Sequence, residues 1–314
     1  MSWQQAYDPI CTQAKECDPI DLVIEPQEHD IGAFTVRRTL PAKERQMVGP
    51  FIFFDQMGPA VLPADKPLDV RPHPHIGLAT LTWLVEGSIF HRDSLGFQSE
   101  IQPGEVNWMT AGSGIVHSER SPEHLRGKEQ PLFGLQVWMA LPKDKEKVDP
   151  SFQHYTADQI PHVQGDGWKA TIVAGCAWGK TSPVSVYSET LYADIRMEDG
   201  ATLTVSSEHE ERAVYALTGE LEIAGSRFAP GRMLVLKPGI DVEIKAMGAT
   251  QLMLIGGAAM DGPRIKWWNF VASSRELIDK AKADWKDGRF AKVPGDEDEF
   301  IPLPDKIRVP AKTG

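Results

Sequence analysis

Two short groups of metal-capable side chains, separated by a run punctuated with turns, constrain this chain more than anything else in it. His73-Pro74-His75 and His117-Ser118-Glu119 each set two ligand-type residues one position apart. On a β-strand, residues i and i+2 face the same side. Read as strands, the two groups aim His73 with His75, and His117 with Glu119, into one interior. Between them, Glu86-Gly87, Leu95-Gly96 and Pro103-Gly104 are turn signals at the spacing of an antiparallel barrel. Three imidazoles and one carboxylate converging there make a borderline nitrogen/oxygen metal site with room for water or substrate. The expectation is a β-barrel with a metal on its inner wall.

The rest of the chain reads as a second copy of that barrel. A length of 314 residues is too great for one ordinary core and suits two domains. Leu84-Val85-Glu86-Gly87 followed by Pro103-Gly104 has an echo in Leu217-Thr218-Gly219 followed by Pro230-Gly231. Aligning Gly219 on Gly87 puts Val205 and Ser207 where His73 and His75 stand, and RMLVLKPGIDVEI then contains no histidine. The second barrel is expected to keep the shape without the metal.

The charged run Pro142 to Lys147 has no apolar periodicity and reads as a solvated linker. It divides the chain into a metal-binding barrel, 1–146, and a metal-free barrel with a C-terminal helix, 147–314. For that helix, Ser273 and Glu276 have capping-box spacing, and Leu277, Ile278, Ala281 and Trp285 share one face. The fold class expected is all-β, with two tandem barrels.

Several residues admit two readings. Asp55 and Gln56 either reach the pocket or bond a local turn. His91 is either a fifth ligand or a rim side chain bonded to Asp93. Trp83, Trp108 and Phe53 are either aromatic walls or core. His209, amid Glu208, Glu210 and Glu211, is read as exposed and ion-paired, and Asp296 to Glu299 as a solvated tail. Ser88 to His91 is read as the hairpin partner of Thr80 to Val85. Residues up to about Ile20 read as a loosely packed leader.

Bulk properties exclude some functions. A net charge of −11 without a Lys/Arg cluster argues against a nucleic-acid partner. Cys11, Cys17 and Cys176 are scattered and fit reduced thiols. No secretory signal or membrane-length apolar run stands in the sequence, so a soluble, cytoplasmic monomer is expected.

The run RPHPHIGLATLTWLVEGSIFHRDSLGFQSEIQPGEVNWMTAGSGIVHSE resembles the signature of the pirin family, a branch of the cupins. The resemblance extends to VGPFIFFDQMGP, to FGLQVWMALP and, more weakly, to GGAAMDGPRIKWWNFV. It implies two tandem cupin (jelly-roll-like) barrels and one mononuclear metal, usually iron, held by His73, His75, His117 and Glu119. Ile76 and Ala79 replace the Arg and Glu common in pirins, which puts the pocket mouth and its electrostatics in question.

The resemblance implies a metal-dependent dioxygenase of the quercetin 2,3-dioxygenase type. Fe(II) is the expected metal, with Mn, Ni, Cu and Zn also compatible with these ligands. A flavonol-like aromatic and O2 would be the substrates. Glu119, the only ligand able to double as a base, would take the proton of the flavonol 3-hydroxyl, and the ring would open with loss of CO. The rival is an iron-dependent redox sensor or regulatory binding protein with a protein partner and no turnover. A purely structural metal is disfavoured, because structural sites usually close their shell with cysteines.

Overall fold

The structure, a computed structural model, describes residues 18–31 and 34–304. Cys11, Cys17 and nearly all of the expected leader lie outside these residues. Strands dominate, and one α-helix, Arg275–Lys286, is present among the described residues. No helix there is long and apolar enough to cross a membrane.

Each barrel is a large sheet folded over a small one. In the first, a seven-stranded sheet has Leu78–Glu86, Gln130–Ala140 and Phe51–Leu62 at its centre. Its four-stranded partner runs Asp69–His75, Ile115–Arg120, Ile89–Asp93, Gln98–Ile101. The second barrel repeats the plan with an eight-stranded and a four-stranded sheet. The all-β, two-cupin architecture expected from the sequence is therefore present.

The two large sheets pack back to back. Phe51 meets Tyr192 at 5.5 Å between ring centroids, and Phe54 meets Tyr215 at 4.8 Å. Tyr215 donates its hydroxyl hydrogen to Gln56 Oε1 (2.7 Å), and Trp83 Nε1–H donates to Asp194 Oδ2 (3.0 Å). Trp83 and Trp108 both belong to this shared apolar cluster. They are core, as one of their two readings held, and line no part of the cavity beside His73, His75 and His117. Burial of this cluster is the main driving force holding the barrels together.

Strand exchange crosses the expected division at residue 146. Ile20–Ile24 pairs with Met233–Leu236 of the second barrel, and Ser151–Tyr155 pairs with Val106–Thr110 of the first. The C-terminal segment also returns to the first barrel. A two-stranded ribbon, Ile265–Trp267 with Phe270–Ala272, joins it through an Ile76–Phe270 bridge. Gly77 has φ +66°, and a Cβ there would strike the Val271 carbonyl oxygen, so glycine is what lets the ribbon approach.

Five local expectations are corrected. Glu146, read as solvated linker, is buried and accepts hydrogen bonds from Ser273 N–H (2.8 Å) and Oγ–H (2.7 Å). That use of Ser273 displaces the cap: the helix N-cap is Ser274, which makes no side-chain cap bond. His209 is buried rather than exposed, between Glu189 (2.7 Å) and the Cys176 carbonyl (3.0 Å). The acidic tail is partly docked, with Arg120 donating to Asp296 (2.8 and 2.7 Å) and Glu299 (2.8 Å). Finally, Leu78–Glu86 and Ile89–Asp93 are not a hairpin but lie in different sheets, Gly87 turning the chain between them.

Candidate metal centre

The small sheet of the first barrel sets the histidines. Asp69–His75 pairs antiparallel with Ile115–Arg120 so that His117 stands opposite His73 and Ile115 opposite His75. Alternation along the first strand puts His73 and His75 on one face, as their spacing predicts. The register shifts between His117 and Glu119, which reaches the same cavity from beyond that irregularity.

All three imidazoles are buried, and one ring nitrogen of each lies within 4.8 Å of the others. Their remaining nitrogens are occupied. His73 Nδ1–H donates to the Arg71 carbonyl (2.9 Å), and His75 Nδ1–H donates to the Asn269 carbonyl (3.0 Å). His117 Nδ1 faces His91 Nδ1 at 3.4 Å, while His91 Nε2 contacts Asp93 Oδ2 at 3.1 Å. Asp93 already accepts the Leu95 and Phe97 backbone N–H groups, as an ionised carboxylate does. His91 Nε2 therefore donates, its Nδ1 accepts from His117, and His117 Nε2 is left as a lone pair. That atom is buried with no hydrogen-bond partner.

Three inward Nε2 lone pairs, each with its tautomer fixed from behind, fit a metal of borderline softness. Glu119 stands outside the 4.8 Å group, although its carboxylate lines the same cavity. His91 bonds Asp93 as one of its readings held, but it is buried and stacked on Phe152 rather than lying at a rim.

Burial sets the protonation states. His73 is pushed down to about 4, chiefly by desolvation and only partly opposed by its bond to Arg71. His75 and His117 lie well below the ordinary value, again from burial first and then from their neighbouring histidines. All three are neutral near pH 7, the form that ligates. Burial raises the Glu119 carboxyl, opposed by His91 and the Thr82 hydroxyl.

A cavity of about 530 Å³ opens beside the histidines. Phe53 and Trp138 stack at 4.0 Å and 12° to form an aromatic wall, and Trp138 meets His75 edge-on at 5.0 Å. Asp55 lines the cavity in a two-bond pair with Arg38 (2.7 Å each), whereas Gln56 turns the other way toward Tyr215. Ile76 and Ala79 line no part of the cavity. Ile76 packs under the C-terminal helix and Ala79 in the inter-barrel core, so these substitutions leave the wall itself alone.

Sequence reasoning missed several wall residues. Gln136 and Trp138 carried a usable signal, since they alternate along one strand. Arg38, Trp268, Asn269 and Ile301 arrive from elements far away in the chain and carried none. The second barrel's interior is filled with aliphatic side chains, Val205 among them, and no further cluster of metal-ligating side chains occurs among the described residues.

Fold and site together define a two-barrel cupin with three histidines converging in its first barrel. The Pirin family model matches residues 33–139 and the Pirin C-terminal cupin domain matches 192–291. The chain belongs to the pirin family. It is 48% identical to a pirin-like protein of Caulobacter vibrioides over 91% of this chain and all of that one. It is 37% identical to a provisionally named quercetin 2,3-dioxygenase of Pseudomonas aeruginosa over 88% of each. A crystal structure of quercetin 2,3-dioxygenase from Acinetobacter baumannii superposes with a TM-score of 0.83 at 35% identity, covering 91% of this chain and 97% of the other.

Proposed function

We propose that His73, His75, His117 and Glu119 hold a single metal ion, Fe(II) before Mn, Ni, Cu or Zn, and that the protein is a dioxygenase acting on flavonol-like aromatics. The observation that carries this is the set of three buried histidines with one ring nitrogen of each within 4.8 Å of the others, His117 Nε2 being buried with no hydrogen-bond partner. Such a centre would supply open coordination positions for O2 and for a chelating substrate.

The chain's own residues do the rest. The stacked Phe53–Trp138 pair, with Arg38 over the Phe53 ring, gives the cavity an aromatic surface beside the histidines that a substrate ring can meet. Glu119 is a raised-pKa carboxylate at the same cavity, suited to take the proton of a substrate hydroxyl. Thr82 gives its hydroxyl hydrogen to Gln136 (2.7 Å) and stands 3.5 Å from Glu119, which fixes the side chains flanking the base. Trp268 and Ile301 wall the cavity from the C-terminal segment and limit water entry.

Oxygen uptake by anaerobically iron-loaded protein given quercetin, with metal content measured in parallel, tests the proposal. Turnover that vanishes in His117→Ala, together with the metal, is expected. Bound iron with no uptake would overturn the dioxygenase reading in favour of a sensor without turnover. Stoichiometric metal in His117→Ala would overturn the ligand set.

A further inference from the structure

The C-terminal ribbon turns beside the histidines on a residue ill suited to the backbone it adopts. Trp267 pairs with Phe270, which leaves Trp268 and Asn269 as the two residues of a tight hairpin turn. Such turns put one or both central residues at positive φ, a conformation that glycine and asparagine adopt readily and bulky residues do not. Here Trp268 adopts it, with φ +52°, although asparagine is its neighbour. Among the described residues Trp178 and Ala224 are the other non-glycine positions with positive φ, and neither lines the cavity beside the histidines. Trp268 does.

The turn is held from both sides. The Asn269 carbonyl accepts from His75 Nδ1–H (3.0 Å), and Phe270 is fully buried and bridged to Ile76. A strained backbone persists where its surroundings over-determine it, and such places gather at ligand contacts. What this turn gains is the placement of a ring. Trp268 is half-buried, stands edge-on to Phe270 at 5.5 Å and 86°, and bears on the cavity.

The cavity therefore draws aromatic surface from two separate parts of the fold. Phe53 and Trp138 come from the large sheet of the first barrel, and Trp268 comes from the ribbon. A single ring can lie against one of these surfaces. A substrate of two linked ring systems, as a flavonol is, can engage both, and about 530 Å³ is room for a ligand of that size. We infer that Trp268 is the residue that makes this cavity select two-ring aromatics over single-ring phenols, and that its strained backbone is kept for that contact. This rests on the proposed function only in taking the cavity as the substrate site.

Equilibrium dialysis of quercetin and of catechol against Trp268 variants tests the inference. Measuring metal-free protein, and iron-loaded protein beside it, keeps the test apart from the metal assignment. Trp268→Gly should weaken quercetin binding about tenfold, the loss of one aromatic contact, while catechol binding changes less than about twofold. Trp268→Phe should keep most of the preference. Thermal unfolding reads the backbone separately. Trp268→Gly and Trp268→Ala lose the same ring, so the glycine variant should melt higher, by on the order of 2 °C. Unchanged quercetin binding in Trp268→Gly, or an equal fall for both probes, would overturn the selection. An alanine variant as stable as the glycine one would overturn the strain. A two-ring preference in the metal-free form, with no iron taken up in the other, would keep the inference and discard the metal reading.

Discussion

Metal-free protein should lose stability steeply on mild acidification, and the loss should belong to three side chains. The perturbation is a change from about pH 8 to about pH 5.5. An unfolded histidine titrates near 6.5, whereas buried His73 titrates near 4 and His75 and His117 well below their ordinary value. Because the folded values are depressed, stability is full above the unfolded pKa. It falls as the pH drops from 6.5 toward the folded values, where only the unfolded chain binds the protons. At about pH 5.5 each such histidine costs on the order of 1 kcal/mol, and the three together a few kcal/mol. The cost at that pH is set chiefly by the unfolded value, since a folded ring whose pKa is well depressed is already unprotonated there.

Urea unfolding of metal-free protein at the two pH values, beside a variant carrying His73→Gln, His75→Gln and His117→Gln, gives the measurement. Contributions from groups remote from the triad are common to both proteins and cancel in the difference. The unaltered protein should lose a few kcal/mol more than the variant, on the order of 1 kcal/mol for each histidine replaced. Equal losses in the two would refute both the burial of the triad and its neutral state.

Three further outcomes follow from particular contacts. His91→Phe removes the acceptor that holds His117 Nδ1 and should weaken metal binding about 10- to 100-fold by chelator competition, with the circular dichroism spectrum unchanged. Trp83→Phe deprives the buried Asp194 of a donor and leaves it Gln251 alone, costing about 1–3 kcal/mol in chemical denaturation. Replacing Asp194 by Leu in that background should recover part of the loss. Gly77→Ala meets both a positive φ and the Val271 carbonyl, so it should cost more than about 1 kcal/mol and lower the calorimetric midpoint.

What the sequence disclosed and what it hid divide along the range of the interactions involved. His73, His75 and His117 were legible because a strand's two-residue period is local, and three residues of sequence suffice to say that two side chains share a face. The second barrel's repeat of the plan was legible for the same reason, its turn frame at Leu217-Thr218-Gly219 and Pro230-Gly231 being recognisable. The errors fall where a local reading met a distant partner. Glu146 looked like linker because nothing within a few residues engages it, yet the group it holds is Ser273, 127 positions on. Asp296 looked solvated because Arg120, its partner, lies 176 positions away.

The same holds for His75, whose ring is oriented by the Asn269 carbonyl, a backbone atom with no side-chain identity to read. It follows that the first barrel, cut out at residue 146, would contain every proposed ligand and still lack the ribbon that fixes one of them. The C-terminal segment is thus part of the wall around the three histidines, through Trp268 and the Asn269 carbonyl as well as through packing.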